Sequence, residues 1–441
     1  MEDNVLQEDC ASQQPIRIID LLRDHCRQHP EKTAILAPGR KSMTYGSLSA
    51  HVMGNVASLR ELGIKRKERV AIVMPNGPEM ITAFLAVTTV ATCAPLNPTY
   101  SLDEFKFYLS DINAKAVIVS ENLVTIAVQA ANELGIELIT LRPQTDYGAG
   151  SFELIARKQA TTLDLGLELE LADADDVALV LHTSGTTGRP KLVPLTHRNI
   201  YNSAVNIAQS LALRPDDVCL NVMPLFHVHG LIGAVLASFA AGGGVISAPG
   251  FKIDNFFDWL GSYLPTWYTA VPTMHQAVVS LWENTERTAF KHNLRFIRSS
   301  SSALPPIIGR KLEDVFQVPV IEAYGMTEAS HQMAVNPLPP GIRKPGSVGQ
   351  AAGCRVSIMD GGGNRLLPTV TGEIVIWGKN VISGYENNPT ANQNSFHEGW
   401  FRTGDQGYID ESGYILSMGV LKKSSTGVAR RYHLGKSMKY Y

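Results

Sequence analysis

The sequence predicts an α/β protein with two subdomains built on parallel sheets and one small β subdomain. In the first two, short apolar runs rich in β-branched residues alternate with segments of helical period, which is the pattern of parallel strands covered by helices. In the last, shorter strands alternate with glycine-rich turns, which is typical of antiparallel hairpins. The 441 residues allow two to four domains at about 100–200 residues each.

The first subdomain spans about residues 15–150. Its predicted elements are strands at 70–74, 116–119 and 136–139 and helices at 80–90 and 123–134. Pro78 follows the turn after the first strand, in a first helical turn, where the missing N–H is tolerated. Ser101 and Glu104 have the spacing of a capping box, so a helix is expected to begin there.

The second subdomain is expected over about residues 170–345, beginning with a strand at 176–181. The third, over 346–416, is predicted to contain a hairpin of strands at 355–359 and 372–376. Residues 421–441 carry six Lys and Arg and no acidic residue, which favours a basic tail; a tail that binds membrane or RNA is the alternative.

Composition excludes several classes of function. The 39 Lys and Arg balance 41 Asp and Glu, so no nucleic-acid partner is expected. Five scattered cysteines without a Cys-x-x-Cys pair argue against a disulfide framework or a zinc site. The apolar stretches 81–96 and 231–247 are interrupted, which favours buried core over a membrane span. The acidic N-terminus is no secretory signal, and the expected location is cytoplasmic.

The strongest chemical signal is a loop of hydroxyls, glycines and one lysine directly after a predicted strand. It contains Thr183, Ser184, Gly185, Thr186, Thr187, Gly188 and Lys191. Glycines let backbone N–H groups approach phosphate oxygens, hydroxyls donate hydrogen bonds and the lysine adds charge, so the loop predicts polyphosphate binding. It is not a Walker loop, because the spacing differs and Pro190 precedes the lysine.

Two more strings follow in order. They are Tyr324-Gly325-Met326-Thr327-Glu328 and Gly399-Trp400-Phe401-Arg402-Thr403-Gly404-Asp405. Together the three strings resemble the AMP-forming adenylate synthetases, which include acyl-CoA synthetases, luciferases and peptide-synthetase adenylation domains. The resemblance covers about residues 18–416, and it implies that residues 1–420 form the large N-terminal, AMP-binding domain of adenylate-forming enzymes.

The residues of these strings suit a bound nucleotide. Tyr324 offers an aromatic face for adenine, Thr327 a hydrogen bond to the α-phosphate, Glu328 a hard carboxylate for Mg²⁺, and Asp405 acceptors for the ribose hydroxyls. Each has an ordinary structural alternative: a packed tyrosine, a helix start or an Asx turn. The resemblance favours the binding roles.

The resemblance also implies the reaction. ATP, Mg²⁺ and CoA would be used to convert a carboxylate, through an acyl-adenylate, to a thioester, with Lys191, His227, Thr327 and Glu328 as catalytic residues. Ser301 and Ser302 match the segment that lines the adenine in the family.

The substrate is expected to be a small carboxylate, with His227, Ser302 and His331 near its acyl end. Imidazole in place of an apolar tunnel suits a second carboxylate, because an uncompensated buried charge is expensive. A structural role is the alternative for His227 and His331. It is the favoured role for a third histidine, His275. Finer resemblance to the oxalate–CoA ligases of fungi and plants favours oxalate over a medium-chain or aryl (4-coumarate-like) acid.

After residue 416 the sequence departs from the family. Val420 stands where the family has an arginine that contacts the ribose, and Lys422 aligns with the hinge position. The family's C-terminal domain and a C-terminal peroxisomal address, as found in related proteins, are expected to be missing. Slow adenylation and almost no thioester formation are therefore expected, and a catalytically inactive nucleotide-binding remnant is the alternative.

Overall fold

The computed structural model describes residues 16–121, 126–156, 170–183, 190–285 and 290–420. Its helices are α1 Asp20–Gln28, α2 Tyr45–Glu61, α3 Pro78–Val90, α4 Leu102–Asp111, α5 Ile126–Leu134, α6 His197–Ser210, α7 Ala237–Ala240, α8 Ile253–Tyr263, α9 Pro272–Glu283, α10 Pro306–Phe316 and α11 Pro389–Ser395. A π-helix at His229–Leu236 precedes α7, and a 3₁₀ turn occupies Thr327–Ala329.

The strands of the described residues form three sheets. In chain order they are β1 Thr33–Leu36, β2 Met43–Thr44, β3 Arg69–Val73, β4 Thr92–Pro95, β5 Ala116–Ser120, β6 Glu137–Pro143, β7 Phe152–Ala156, β8 Val177–Thr183, β9 Lys191–Thr196, β10 Val218–Asn221, β11 Gly244–Ser247, β12 Trp267–Ala270, β13 Phe296–Ser299, β14 Val320–Met326, β15 His331–Val335, β16 Gln350–Ala351, β17 Arg355–Met359, β18 Gly372–Trp377, β19 Phe396–His397, β20 Trp400–Ile409 and β21 Ile415–Val420.

The first sheet has seven strands in the order β7-β6-β5-β3-β4-β8-β9. Its five central strands are parallel, and the two edge strands β7 and β9 are antiparallel to their neighbours. By chain order β8 falls in the predicted second subdomain, whereas in the structure β8 pairs with β4, at Cys93 opposite Leu179. An apolar run locates a strand but does not say which neighbour receives its backbone hydrogen bonds, so the grouping of strands by chain order differs here from their pairing.

The second sheet has nine strands in the order β16-β15-β14-β13-β12-β10-β11-β1-β2. The strands from β14 to β1 are parallel, and β1, which is early in the chain, pairs with β11 at Ile35 opposite Val245. The third sheet, β17-β18-β20-β19 with β21 on β20, is antiparallel throughout. The α/β class with two largely parallel sheets and a small β unit is thus confirmed.

Local predictions hold closely in the first subdomain. Pro78 begins α3, and Ser101 accepts a hydrogen bond from the Glu104 amide while the Glu104 carboxylate accepts from Ser101, completing the capping box. The two apolar stretches are core: α3 is buried at all positions but Glu79, and the π-helix is buried throughout. Among the described residues, no helix combines the length and apolarity that crossing a bilayer requires.

Candidate active site

Several polar residues follow the carboxyl ends of neighbouring strands of the second sheet, some of them singled out in the sequence. The π-helix follows β10, Thr269 lies near the end of β12, Ser301 follows β13 and Glu328 follows β14. These strands are parallel neighbours, so their carboxyl ends open on the same crevice, where open α/β sheets bind ligands.

The two ends of the predicted phosphate loop are held by antiparallel strands of the first sheet. Thr183, the last residue of β8, lies opposite Lys191, the first residue of β9. The pairing brings the lysine back beside the hydroxyl although eight positions separate them in sequence. Ser184, Gly185, Thr186, Thr187 and Gly188 lie outside the described residues.

Glu328 joins this loop to the second sheet. Its carboxylate is buried, with 6% of the residue exposed, and its Oε1 lies 3.5 Å from Oγ1 of Thr183. The same oxygen accepts a hydrogen bond of 2.7 Å from the hydroxyl of Tyr385. The Lys191 ammonium lies 4.4 Å from the centre of the Tyr385 ring, within cation–π range. Carboxylate, hydroxyls and ammonium therefore form one compact cluster.

The backbone around Glu328 turns sharply. β14 ends at Met326, the 3₁₀ turn contains Thr327 and Glu328, and β15 then returns antiparallel to β14. Gly325 is required for this close pairing, because a Cβ there would lie 1.8 Å from the carbonyl oxygen of His331. The backbone carbonyl of Glu328 accepts from Ile382 N at 2.9 Å, which fixes the turn against the segment that carries Tyr385.

Tyr324 and Asp405 are bonded to each other across 81 positions of sequence. The Tyr324 hydroxyl donates to Oδ2 of Asp405, which lies on β20 of the third sheet. Burial, followed by the neighbouring Asp405 carboxylate, raises the pKa of Tyr324 well above its ordinary value. Burial also raises the pKa of Asp405, the hydrogen bond from Tyr324 opposes this, and the charge of Glu373 adds to it.

His227, Ser301 and Ser302 lie at exposed positions after the carboxyl ends of β10 and β13. The side chain of His227 reaches solvent, while the protein around it desolvates the ring and lowers its pKa to about 4, so the imidazole is neutral at pH 7. Ser301 and Ser302 are both exposed. Ser301 has a φ of 73°, and its Oγ lies 3.0 Å from Nδ1 of His229.

His331 is fully enclosed, in contrast to His227. It begins β15 with 2% of its surface exposed and stacks on His229, with ring centres 4.9 Å apart. The guanidinium of Arg298, on β13, lies with both terminal nitrogens 3.1 Å from Nε2 of His331. Burial, followed by the charge of Arg298, lowers the pKa of His331 well below its ordinary value. His275 is buried elsewhere, beside the Tyr268 hydroxyl.

Three residues of the site, Tyr385, His229 and Arg298, were not predicted from the sequence. Tyr385 lies 57 positions from Glu328, and no local pattern links the two. Arg298 did carry a signal: it interrupts the apolar strand Phe296–Ser299, and a charged residue in a fully buried strand is rare unless it is paired. The π-helix that begins at His229 is of a kind that is frequent at functional sites.

The donor set around Glu328 fits a magnesium ion. Mg²⁺ takes oxygen ligands and is usually held by one or two carboxylates together with substrate phosphates. Glu328 supplies a buried carboxylate and Thr183 a hydroxyl beside it, next to the loop expected to hold the phosphates. Among the described residues, no group of three or more His, Cys, Asp or Glu could hold a metal by itself.

A crevice shared by three sheets, with the two ends of the predicted phosphate loop beside a buried carboxylate, fits the fold of the adenylate-forming enzymes. Residues 22–386 match the family described as AMP-binding enzyme, and the chain belongs to that family. Membership, with the CoA ligases among its relatives, makes it an acid–thiol ligase of the AMP-forming acyl-CoA synthetase type.

Its relatives include enzymes of defined substrate. It is 41% identical to the oxalate–CoA ligase of Arabidopsis thaliana over 91% of this chain and 79% of that protein. It is 40% identical to the oxalate–CoA ligase of Saccharomyces cerevisiae over 89% and 77%. The o-succinylbenzoate CoA synthetase MenE of Bacillus subtilis, solved with ATP and magnesium, superposes with a TM-score of 0.79 at 27% identity, covering 95% of this chain and 82% of that one.

Proposed function

We propose that the chain is an oxalate–CoA ligase, which activates oxalate with ATP and transfers the oxalyl group to CoA. The observation that carries the proposal is a buried cation near Glu328: the guanidinium of Arg298 lies 3.1 Å from Nε2 of His331, which is three positions after Glu328. A buried cation and an imidazole beside the acyl site would suit a second carboxylate and disfavour an alkyl chain. The two oxalate–CoA ligases at 40% and 41% identity support the same assignment.

The phosphates are assigned to the cluster around Glu328. Thr183, Lys191 and the loop between them would hold the triphosphate, and Thr327 would donate to the α-phosphate. Lys191 is kept near by the Tyr385 ring, 4.4 Å away. Mg²⁺ would be held by Glu328 and, once bound, would neutralise charge on the phosphate oxygens.

The adenosine is assigned to the other side of the crevice. Tyr324 would face the adenine, with Ser301 and Ser302 along its edge. Asp405 would accept from the ribose hydroxyls through Oδ1, since the Tyr324 hydroxyl already bonds Oδ2. The bond between Tyr324 and Asp405 thus fixes the two side chains that would contact the base and the ribose before the nucleotide binds.

The chemistry has two displacements. A carboxylate oxygen of oxalate attacks the α-phosphorus of ATP, the bond to the pyrophosphate breaks, and pyrophosphate leaves. The CoA sulfur, having lost its proton, then attacks the acyl carbon, and AMP leaves. Negative charge develops on the α-phosphoryl oxygens in the first step, so Lys191 and Thr327 act by positioning and by electrostatic stabilisation. His227, neutral at pH 7, can donate one hydrogen bond to the attacking acid.

The test is pyrophosphate release by the purified chain with ATP, Mg²⁺ and one of oxalate, malonate, hexanoate or coumarate. The expected result is release that requires oxalate and is lost in Glu328→Gln. Glu283→Gln is the matched control, because Glu283 is a half-exposed surface carboxylate paired with Lys311 at 2.6 Å. Release with hexanoate or coumarate in place of oxalate would refute the substrate. ATP binding with no release for any acid would support the nucleotide-binding alternative.

A further inference from the structure

Arg298 is a buried cation without a carboxylate partner in the described part of the chain. It has no exposed surface, and none of the ion pairs found there includes it. Its guanidinium bonds to neutral acceptors only: His331 Nε2, Gln332 Oε1 at 3.0 Å and Thr269 Oγ1 at 3.4 Å. Its Nε has no partner among the described residues. A buried charge normally needs a compensating charge, because its removal from water is costly.

The bonds of Arg298 determine the protonation of His331. A guanidinium can only donate hydrogen bonds, so Nε2 of His331 is an acceptor and carries no proton. The ring is neutral, and its proton therefore sits on Nδ1. Arg298 thus turns His331 into an N–H donor of fixed direction, with a positive charge directly behind it.

A hydrogen-bonded chain extends this effect to the loop that borders the crevice. Thr269 Oγ1 lies 2.6 Å from Nε2 of His229, whose Nδ1 lies 3.0 Å from Ser301 Oγ. Arg298 is therefore linked to Ser301 through Thr269 and His229. Gly233 of the π-helix packs directly against the His331 ring, since a Cβ there would lie 2.6 Å from it.

We propose that Arg298 is a positioning residue that makes the crevice select acids with a second carboxylate. The proposal rests on the proposed function and deepens it. A second carboxylate that accepts from His331 would supply the negative charge that the buried guanidinium lacks, whereas a neutral group in its place would leave the cation uncompensated. The choice of acids with a second carboxylate then depends on the positive charge of Arg298 as well as on the His331 imidazole.

The test compares two acids that differ by this one charge. Oxalate has two carboxylates, and glyoxylate has one carboxylate and nearly the same size. Their affinities are measured by calorimetry in the presence of Mg²⁺ and α,β-methylene-ATP, for the wild-type chain, Arg298→Met and Arg298→Lys. Arg295→Met is the matched control, since Arg295 lies on the same segment but pairs with Asp217 at 2.6 Å.

The expected result is that Arg298→Met weakens oxalate binding at least tenfold and glyoxylate binding less than twofold. Arg298→Lys should lose less of the oxalate preference than the methionine variant, because charge remains and only the planar fork is lost. Arg295→Met should leave the preference unchanged. In turnover assays, Arg298→Met should have a higher KM for oxalate than wild type and the same KM for ATP.

Three results would overturn the proposal. An equal loss of both acids in Arg298→Met would mean that the arginine only supports the fold. If Arg298→Met prefers oxalate over glyoxylate as strongly as wild type does, oxalate remains the substrate but Arg298 does not contribute to its selection. No preference for oxalate in the wild-type chain would refute the proposed function and this inference with it. If Arg298→Met no longer binds the nucleotide analogue, Arg298→Gln decides, because it removes the charge and keeps hydrogen-bond donors: a preference for oxalate equal to that of the wild-type chain overturns the proposal.

Discussion

Tyr385 provides the sharpest test of how the phosphate side of the crevice is organised. Its hydroxyl donates to Glu328 at 2.7 Å, and its ring lies under the Lys191 ammonium at 4.4 Å. Tyr385→Phe removes the hydrogen bond and keeps the ring, so it separates the two contacts. Tyr385→Leu removes both.

The expected loss of Mg²⁺ affinity depends on whether the Tyr385–Glu328 hydrogen bond forms before or after the metal binds. It exists in the protein without ligand, so the phenylalanine variant loses the fixed orientation of the Glu328 carboxylate and no direct contact to the metal. Immobilising one such side chain costs about 0.5–1.5 kcal/mol, which corresponds to a rise of about 2- to 13-fold in the Mg²⁺ concentration needed for half-saturation. A loss of the full charge-assisted bond would cost about 1.5–3 kcal/mol and sets the upper limit.

The assay is the binding of ATP as a function of Mg²⁺ concentration, followed by calorimetry. Tyr45→Phe is the matched control, because Tyr45 is a buried tyrosine that also donates at 2.7 Å, but to the Gly243 carbonyl away from the crevice. The control should change the free energy of unfolding and leave the Mg²⁺ dependence unchanged. A Mg²⁺ curve for Tyr385→Phe that coincides with wild type would refute the positioning of Glu328 by Tyr385.

Three further predictions concern other parts of the site and the fold. Burial raises the pKa of Asp405, so its carboxylate takes up a proton at a pH above the ordinary value near ~3.9. On acidification, ATP affinity should therefore begin to fall above that pH. Asp405→Asn should bind ATP more weakly than wild type, with an affinity that does not change over the same pH range. Burial acts to raise the pKa of Asp217, but hydrogen bonds from Arg295, Thr266 and the Arg214 amide outweigh burial, and the pKa is lowered. The ionised carboxylate therefore stabilises the fold above the unfolded pKa, near ~3.9. That stabilisation is lost as the pH falls through the lower pKa of the folded state. Asp217→Asn should lower the free energy of unfolding by about 2–3 kcal/mol at pH 7 in urea titrations, less than a fully buried pair since Arg295 is 27% exposed, and equal stability of the two chains would contradict this. Gly233→Ala would place a Cβ 2.6 Å from the His331 ring, so it should raise the KM for oxalate while ATP binding is retained; an unchanged KM would show that His331 does not contact the acid.

Much of the local structure could be predicted from the sequence, because the signals involve neighbours along the chain. The capping box at Ser101 and Glu104 and the proline that begins α3 were predicted correctly. The hairpin of β17 and β18 was predicted with its strands in place, and Ile358 pairs with Ile374. Turn, cap and alternation patterns act over a few residues, so they can be read without tertiary contacts.

The candidate site was predicted in part. The strings around Lys191, Glu328 and Asp405 were identified, and the structure brings Lys191 and Glu328 together around Tyr385. It also bonds Tyr324 directly to Asp405, a contact that neither string indicates by itself. The roles of these residues toward ATP remain predictions for the experiments above.

What the sequence by itself determined is some of the strands and helices and the family to which its motifs point; the phosphate loop stays a prediction. Tertiary structure decided that β8 joins the first sheet, that Tyr385 bonds Glu328 and that Arg298 is buried against His331. The physical reason is range. Propensity and periodicity act between residues a few positions apart, whereas strand pairing and the burial of a charge depend on groups that meet only when the chain closes, here from 33 to 86 positions apart.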